Sequence, residues 1–267
     1  PHPDPAQGDG PFATVTRARD AVRELLCEHS DGHVTVLIRG GRYMLRETVV
    51  FTAEDGTDSG SVTWRAFGNE VPVITSAVPI TGWRKVEEDP PGVPAAARGR
   101  LWIADVPADL GRFYTLYDGE RRLPRARTAG FEAPESPPRE RLWQMSRDVL
   151  TFPEGALRNW DRLDDVEIVI RPTHKWVLNI LPLASVDEAS RTARTTIPGT
   201  YPLSPARHTA TLTSCWVENV FEGLDSPGRW VLDTHAGKLY LFPRTDAPAD
   251  ISAPCLTELV RLEGEED

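Results

Sequence analysis

No apolar run in this chain approaches the roughly 18 residues that span a bilayer, so a membrane partner is not expected. Its first residues carry neither the basic nor the apolar stretch of a secretion signal. Cysteine is scarce: Cys27, Cys215 and Cys255 stand far apart, which excludes both a Cys-x-x-Cys metal knuckle and a small disulfide framework. Because cysteine favours full burial, all three read as small apolar core residues. At most one pair could be bridged, so cysteine usage does not decide the redox compartment. Positive charge is also in deficit, with 30 Lys and Arg against 40 Asp and Glu and a net charge of −10. Nucleic acid is therefore not an expected partner, since phosphate is neutralised by clustered cations. The sequence has no Walker or dinucleotide glycine loop, no His-Glu-x-x-His pair and no Gly-x-Ser-x-Gly elbow, so nucleotide and zinc chemistry are unsupported and no cofactor is expected. No internal repeat is strong enough to count structural units.

The chain does contain enough apolar material for a buried core: 267 residues, 40% hydrophobic, allow one large domain or two. Its 24 prolines and 20 glycines are spread as punctuation between short apolar runs, as in turn-rich β structure. One amphipathic helix is expected over Thr14 to Leu26, with Ala18, Ala21, Val22, Leu25 and Leu26 on one face and Arg17, Arg19, Asp20, Arg23 and Glu24 on the other. Thr14 suits the N-cap, where a hydroxyl accepts from a first-turn amide. Short β-branched runs follow: Val34 to Ile38, then Tyr43 and Leu45 after the Gly40-Gly41 turn, then Val49 to Phe51.

Pro11 to Thr14, Ala18 to Arg23, Ile38-Arg-Gly-Gly-Arg-Tyr43, Thr48 to Phe51, Asp58 to Gly60, Val62 to Ala66 and Pro72 to Ile74 together resemble the opening of large right-handed parallel β-helix proteins. The resemblance is to carbohydrate-active members, the glycoside hydrolases of families 141 and 120, which include β-xylosidase, xylanase and fucosidase activities. It implies an all-β fold: the first coils of the β-helix, an N-terminal capping α-helix and an inserted antiparallel β-sandwich-like domain. A terminal coil exposes an apolar end and open strand edges unless something covers them, and the helix is a suitable lid. Ser76-Ala77 stands where the usual motif has Gly-Gly.

After Ile80 to Trp83 the character changes. Glu87 to Gly99, rich in Pro, Ala and charge, reads as an exposed loop. Strands are expected at Leu101–Ile103, Tyr114–Tyr117, Val166–Ile170, Trp176–Ile180 and Ala193–Ile197, and a hairpin at Trp230–Asp233 and Leu239–Phe242 with His235 in its turn. Trp216 to Glu222 reads as a short helix leading to the hairpin, with Glu218, Glu222 and Asp225 on a solvated face. The expected organisation is thus 1–80 for the cap and first coils, 81–250 for the inserted sandwich, and 251–267 for a strand re-entering a β-helix whose remainder lies beyond Asp267.

Candidate chemistry is confined to a few residues. Asp161, Asp164, Asp165 and Glu167 lack EF-hand spacing and read as a solvated acidic turn, and the six histidines lack metal spacing. By the resemblance, Asp118 to Arg127 is a hairpin followed by a pair of arginines flanking Ala126, close to a sugar-binding cleft. Arg125 and Arg127 there present planar forks of donors for sugar hydroxyls or a uronate carboxylate, or alternatively bridge the sandwich to the solenoid. Trp176, with His174 beside it, is either a stacking platform for a pyranose ring or a packing residue. Glycoside hydrolysis uses two carboxyl groups flanking the bond. In the resembling enzymes these stand on later coils, so no catalytic residue is assigned. The reading is the N-terminal portion of a polysaccharide-active glycoside hydrolase in an extracellular setting, with a cytoplasmic one as the alternative, and polysaccharide or oligosaccharide as partner. Its alternatives are a non-catalytic carbohydrate-binding or structural module and a β-helical polysaccharide lyase.

Overall fold

The amphipathic stretch near the N-terminus folds as α1 (Val15–Glu28), burying Val15, Val22 and Leu26. The Thr14 hydroxyl caps it by accepting from the Arg17 amide at 3.1 Å. The structure is a computed structural model that describes residues 10–29, 31–57, 59–132, 144–172, 176–203 and 214–264. In chain order the strands are β1 (His33–Ile38), β2 (Gly41–Met44), β3 (Val49–Phe51), β4 (Ser61–Ala66), β5 (Pro72–Thr75), β6 (Ala77–Pro79), β7 (Arg84–Lys85), β8 (Trp102–Asp105), β9 (Leu116–Asp118) and β10 (Arg121–Leu123). There follow β11 (Val149–Thr151), β12 (Glu167–Ile170), β13 (Asn179–Asp187), β14 (Thr192–Thr195), β15 (Cys215–Glu218), β16 (Trp230–Asp233), β17 (Lys238–Leu241), β18 (Ile251–Pro254) and β19 (Val260–Leu262). The described chain is mostly β, with one α-helix, and divides into two compact units: residues 1–78 with 254–267, and residues 79–253.

In the first unit the strands pair in parallel. β4 runs beside β1 from His33↔Ser61 to Ile38↔Ala66, β5 beside β2 from Gly41↔Pro72 to Met44↔Thr75, and β19 beside β3 from Val49↔Val260 to Phe51↔Leu262. Parallel neighbours need a crossover, and β2, β3 and a 3-10 turn at Ala53–Asp55 supply it between β1 and β4. Val15, Leu45 and Val49 are buried together, with Tyr43, Phe51, Trp64 and Ile74 packed around them. Phe51 meets Trp64 edge-on at 5.3 Å between ring centroids, a favoured aromatic geometry. Polar groups of α1 complete the packing: Arg19 donates to the Val50 carbonyl at 3.0 Å, and Arg23 forms a two-pronged ion pair with Asp55 at 2.8 and 2.6 Å. Burial pushes the Asp55 carboxyl up, but the Arg23 hydrogen bonds, the Thr52 amide and the neighbouring arginine charges together hold it below the usual carboxylate range.

The second unit is antiparallel. One sheet has the order β11-β14-β13-β12-β15 and another β16-β17-β8-β7, while β10, β9 and β18 lie side by side. The β16–β17 hairpin closes through a turn holding His235, with Gly237 at φ 62°. β13 carries Pro182, which lacks an amide for the ladder, and its register with β14 shifts between Leu183 and Ser185. Phe152, Leu157, Ile168, Ile170, Leu183 and Val217 form the core of the five-stranded sheet, and Leu101, Ala126, Leu224, Val231 and Phe242 form a second core.

Several sequence expectations are corrected. Trp216 to Glu222 is not a helix: Cys215–Glu218 is β15, held in register against β12, and only Phe221–Gly223 makes a 3-10 turn. The strand expected at Trp176–Ile180 begins at Asn179 and runs to Asp187. The Glu87–Gly99 loop is not wholly exposed, because Val93 and Ala97 enter the second core. The acidic segment is not a solvated turn either, since Asp165 and Glu167 are buried. Of the cysteines, only Cys215 is buried. Cys27, off the buried stripe of α1, is exposed, and Cys255 is intermediate.

Candidate functional site

The Arg125-Ala126-Arg127 segment is extended and links two sheets. Arg125 bridges to Trp230 of β16, Arg127 to Glu218 of β15 and Phe131 to Cys215. The Ala126 amide donates to the Trp230 carbonyl at 2.9 Å, and the Ala126 carbonyl accepts from the Asn219 amide at 2.8 Å. Successive side chains of an extended segment point to opposite sides. Ala126 therefore enters the core, while Arg125 and Arg127 both line a cleft of about 890 Å³. The backbone there is tightly packed. Gly223 lies so close that a Cβ on it would collide with the backbone of Ala126 and Arg127.

Arg125 is the anchor of the cleft. Its guanidinium pairs closely with Glu167 of β12, with side-chain exposures of 8% and 5%, and stands 3.7 Å from Glu218 of β15. Glu167 and Glu218 face each other across the β12–β15 ladder, where like charges repel unless compensated. Arg125 compensates both carboxylates. The guanidinium also lies 5.4 Å from the Tyr114 ring centroid and 5.6 Å from that of Trp230, within cation–π range. Its Nε is buried with no hydrogen-bond partner among the described residues.

Around this anchor the lining is mixed. Tyr114, Ile180 and Ile197 offer half-exposed apolar surface, and Arg122, Arg127 and Arg229 offer guanidinium groups. Arg127 lies over the Trp216 ring at 5.4 Å, and Trp216 Nε1 donates to Glu218 at 2.9 Å. Arg229 donates to the Arg125 carbonyl at 3.2 Å and pairs with Asp225 at 3.3 Å. A second cavity of about 370 Å³, lined by Arg171, Trp216 and Asp225 among others, shares Arg127 and Arg229 with the first. Among the described residues no group of three or more His, Cys, Asp or Glu is arranged to hold a metal ion. None of their helices is long and apolar enough to cross a membrane.

The structure brings Arg125 and Arg127 together. It does not bring Trp176 to them: Trp176 is 78% exposed in the turn before β13 and lines neither cavity. His174 lies outside the described residues. Tyr114, Glu167, Glu218 and Arg229 escape the sequence reading as cleft residues. One signal exists for Glu167, a charge set in the β-branched run Val166 to Ile170, because a carboxylate buried in such a strand requires a cation.

No protein-family model matches this chain, and no curated protein matches it. Among solved structures, one described as a glycoside hydrolase superposes with a TM-score of 0.70 at 24% sequence identity, over 96% of this chain and 45% of that one. This chain therefore has the fold of a part of that glycoside hydrolase and spans less than half its length.

Proposed function

We propose that this chain is the N-terminal portion of a polysaccharide-active, extracellular glycoside hydrolase related to families 141 and 120. In this reading the parallel pairs β1–β4, β2–β5 and β3–β19 are the first coils of a right-handed β-helix, α1 is their cap, and residues 81–250 are an inserted sandwich that walls the substrate cleft. The observation that carries the reading is the cleft around Arg125, where guanidinium donors, carboxylate acceptors and the exposed Tyr114 ring occur together. Sugars are held by that combination, fixed polar groups for the hydroxyls and an aromatic face for the C–H surface. Catalysis is assigned to carboxylates outside this chain.

A non-catalytic carbohydrate-binding module is the second reading. It is favoured by the engagement of Glu167 and Glu218 with Arg125 and Trp216, which leaves neither carboxylate presented to a glycosidic bond.

The test is a titration calorimetry panel of oligosaccharides on the 267-residue chain, with hydrolysis followed in parallel. Binding that is lost in Tyr114→Ala, without turnover, supports the cleft as a carbohydrate site. Absence of binding to every saccharide overturns it, and turnover by this chain alone overturns the assignment of catalysis elsewhere.

A further inference from the structure

The two adjoining cavities are lined by five arginines, Arg122, Arg125, Arg127, Arg171 and Arg229, against three carboxylates, Glu167, Glu218 and Asp225. This local excess of positive charge sits in a chain whose net charge is −10. Its distribution is uneven. Arg125 is compensated by Glu167 and Glu218, and Arg229 by Asp225. Among the described residues, the side chains of Arg122, Arg127 and Arg171 make no hydrogen bond or ion pair, and the contact of Arg127 is the Trp216 ring beneath it. A cation–π contact with an indole occupies none of the guanidinium's N–H donors. The buried Arg125 adds an Nε without a partner.

From this arrangement we infer that the cleft takes an acidic saccharide, a chain bearing uronate carboxylates. The inference rests on the carbohydrate reading above and narrows it to a substrate class. A neutral sugar gives a guanidinium only hydroxyl oxygens, whereas a carboxylate matches its planar fork with two parallel charge-assisted hydrogen bonds, each about twice as strong as a neutral one. Uncompensated arginines occur in both cavities, and Arg127 belongs to both. The site is therefore suited to more than one acidic unit of the same chain. The overall negative charge opposes a polyanion at long range, so the attraction is local and salt-sensitive.

The experiment is titration calorimetry of the 267-residue chain with three tetrasaccharides: tetragalacturonate, neutral cellotetraose and a sulfated carrageenan tetraose. Tetragalacturonate is expected to bind at least about tenfold more tightly than cellotetraose and to weaken as salt rises, the difference expected of one charge-assisted hydrogen bond. Arg127→Gln and Arg122→Gln are each expected to lose about tenfold for the uronate and little for the neutral sugar. Arg127→Lys, which keeps the charge but not the fork, falls between. Thermal unfolding of each variant separates lost binding from lost structure, and both arginines are exposed. Equal binding of the acidic and neutral tetramers overturns this inference while leaving the carbohydrate reading standing. Preference for the sulfated tetramer over tetragalacturonate overturns the uronate assignment, and no binding of any tetramer overturns both readings.

Discussion

Arg125 and Glu167 form an ion pair in which both side chains are more than nine-tenths buried. Removing one partner from such a pair strands a charge out of water, whereas replacing both with apolar groups of similar size can be neutral or stabilising. Arg125→Met is therefore expected to lower the unfolding free energy by about 3–5 kcal/mol. Adding Glu167→Leu should restore the part of the loss that comes from stranding Glu167, while Glu218, already deprived of its cation by Arg125→Met, keeps its share. A double-mutant cycle by urea denaturation measures the coupling, and additive losses would show that the pair acts as two independent groups.

Asn219 holds the junction between β15 and the β16–β17 hairpin. Its backbone is left-handed, at φ 67°. Its buried amide donates to the carbonyls of Asp165 at 3.0 Å and Leu232 at 2.7 Å, while its Oδ1 accepts from the Leu232 amide at 2.8 Å. Asn219→Ala loses these bonds and keeps an unfavourable backbone, so a loss of about 2–4 kcal/mol is expected. Asn219→Gly relieves the backbone alone and should recover about 1 kcal/mol of that. Equal urea midpoints for the two variants would show that the left-handed conformation carries no cost there.

His235 in the hairpin turn donates through Nε2 to the Asp164 carboxylate at 2.8 and 2.9 Å. The hydrogen bond and charge of Asp164 raise the imidazole pKa above its ordinary value, and the hydrogen bond from His235 lowers that of the carboxyl. The raised imidazole stabilises the fold below its unfolded pKa and loses that contribution as pH rises through the folded one. The lowered carboxyl contributes above its unfolded pKa and loses it as pH falls through the folded one. The pair thus acts between the two titrations, around pH 5–6 from ordinary values, and its effect is small because both groups are exposed. NMR titration should find the His235 pKa elevated and returned toward the ordinary imidazole value in Asp164→Asn. The variant should also lose less stability than the parent as pH rises from about 5.5 to about 8.5, the span that brackets the imidazole titration.

Thiol labelling tests the packing of β15. Cys215 is fully buried, and burial pushes its thiol pKa up to about 12, so almost no thiolate exists at neutral pH. A thiol-specific reagent should modify the exposed Cys27 in the native protein and reach Cys215 only on unfolding. Native labelling of Cys215 at the rate of Cys27 would show that β15 opens readily.

What is legible in the sequence follows from local physics. The spacing of Val22 and Leu26, with the Thr14 hydroxyl ahead of them, marks α1 because capping and amphipathicity act within a few residues. The β16–β17 hairpin is equally local, since its strands are joined by one short turn. Arg125 and Arg127 stand out by their own chemistry and sit in the cleft together. Trp176 stands out for the same reason yet lies away from the cleft, because an indole in a turn does not record in sequence what it faces. Glu218 reads in sequence as a solvated helix residue, and the structure makes it part of a strand: Trp216 to Glu222 has no strong local preference, and pairing with β12 decides its conformation.

By itself, then, the sequence determined the β-rich class, the amphipathic helix, the acidic net charge and the presence of two arginines flanking an alanine. Only the tertiary structure decided that Arg125 sits between Glu167 and Glu218, which are distant in sequence and opposed in one ladder. It also decided that Arg127 and Arg229 are shared by two cavities. The division has a physical basis: helical periodicity and turns are set by near neighbours, whereas the compensation of a buried charge depends on strands brought together by long-range pairing, with no trace in the spacing along the chain.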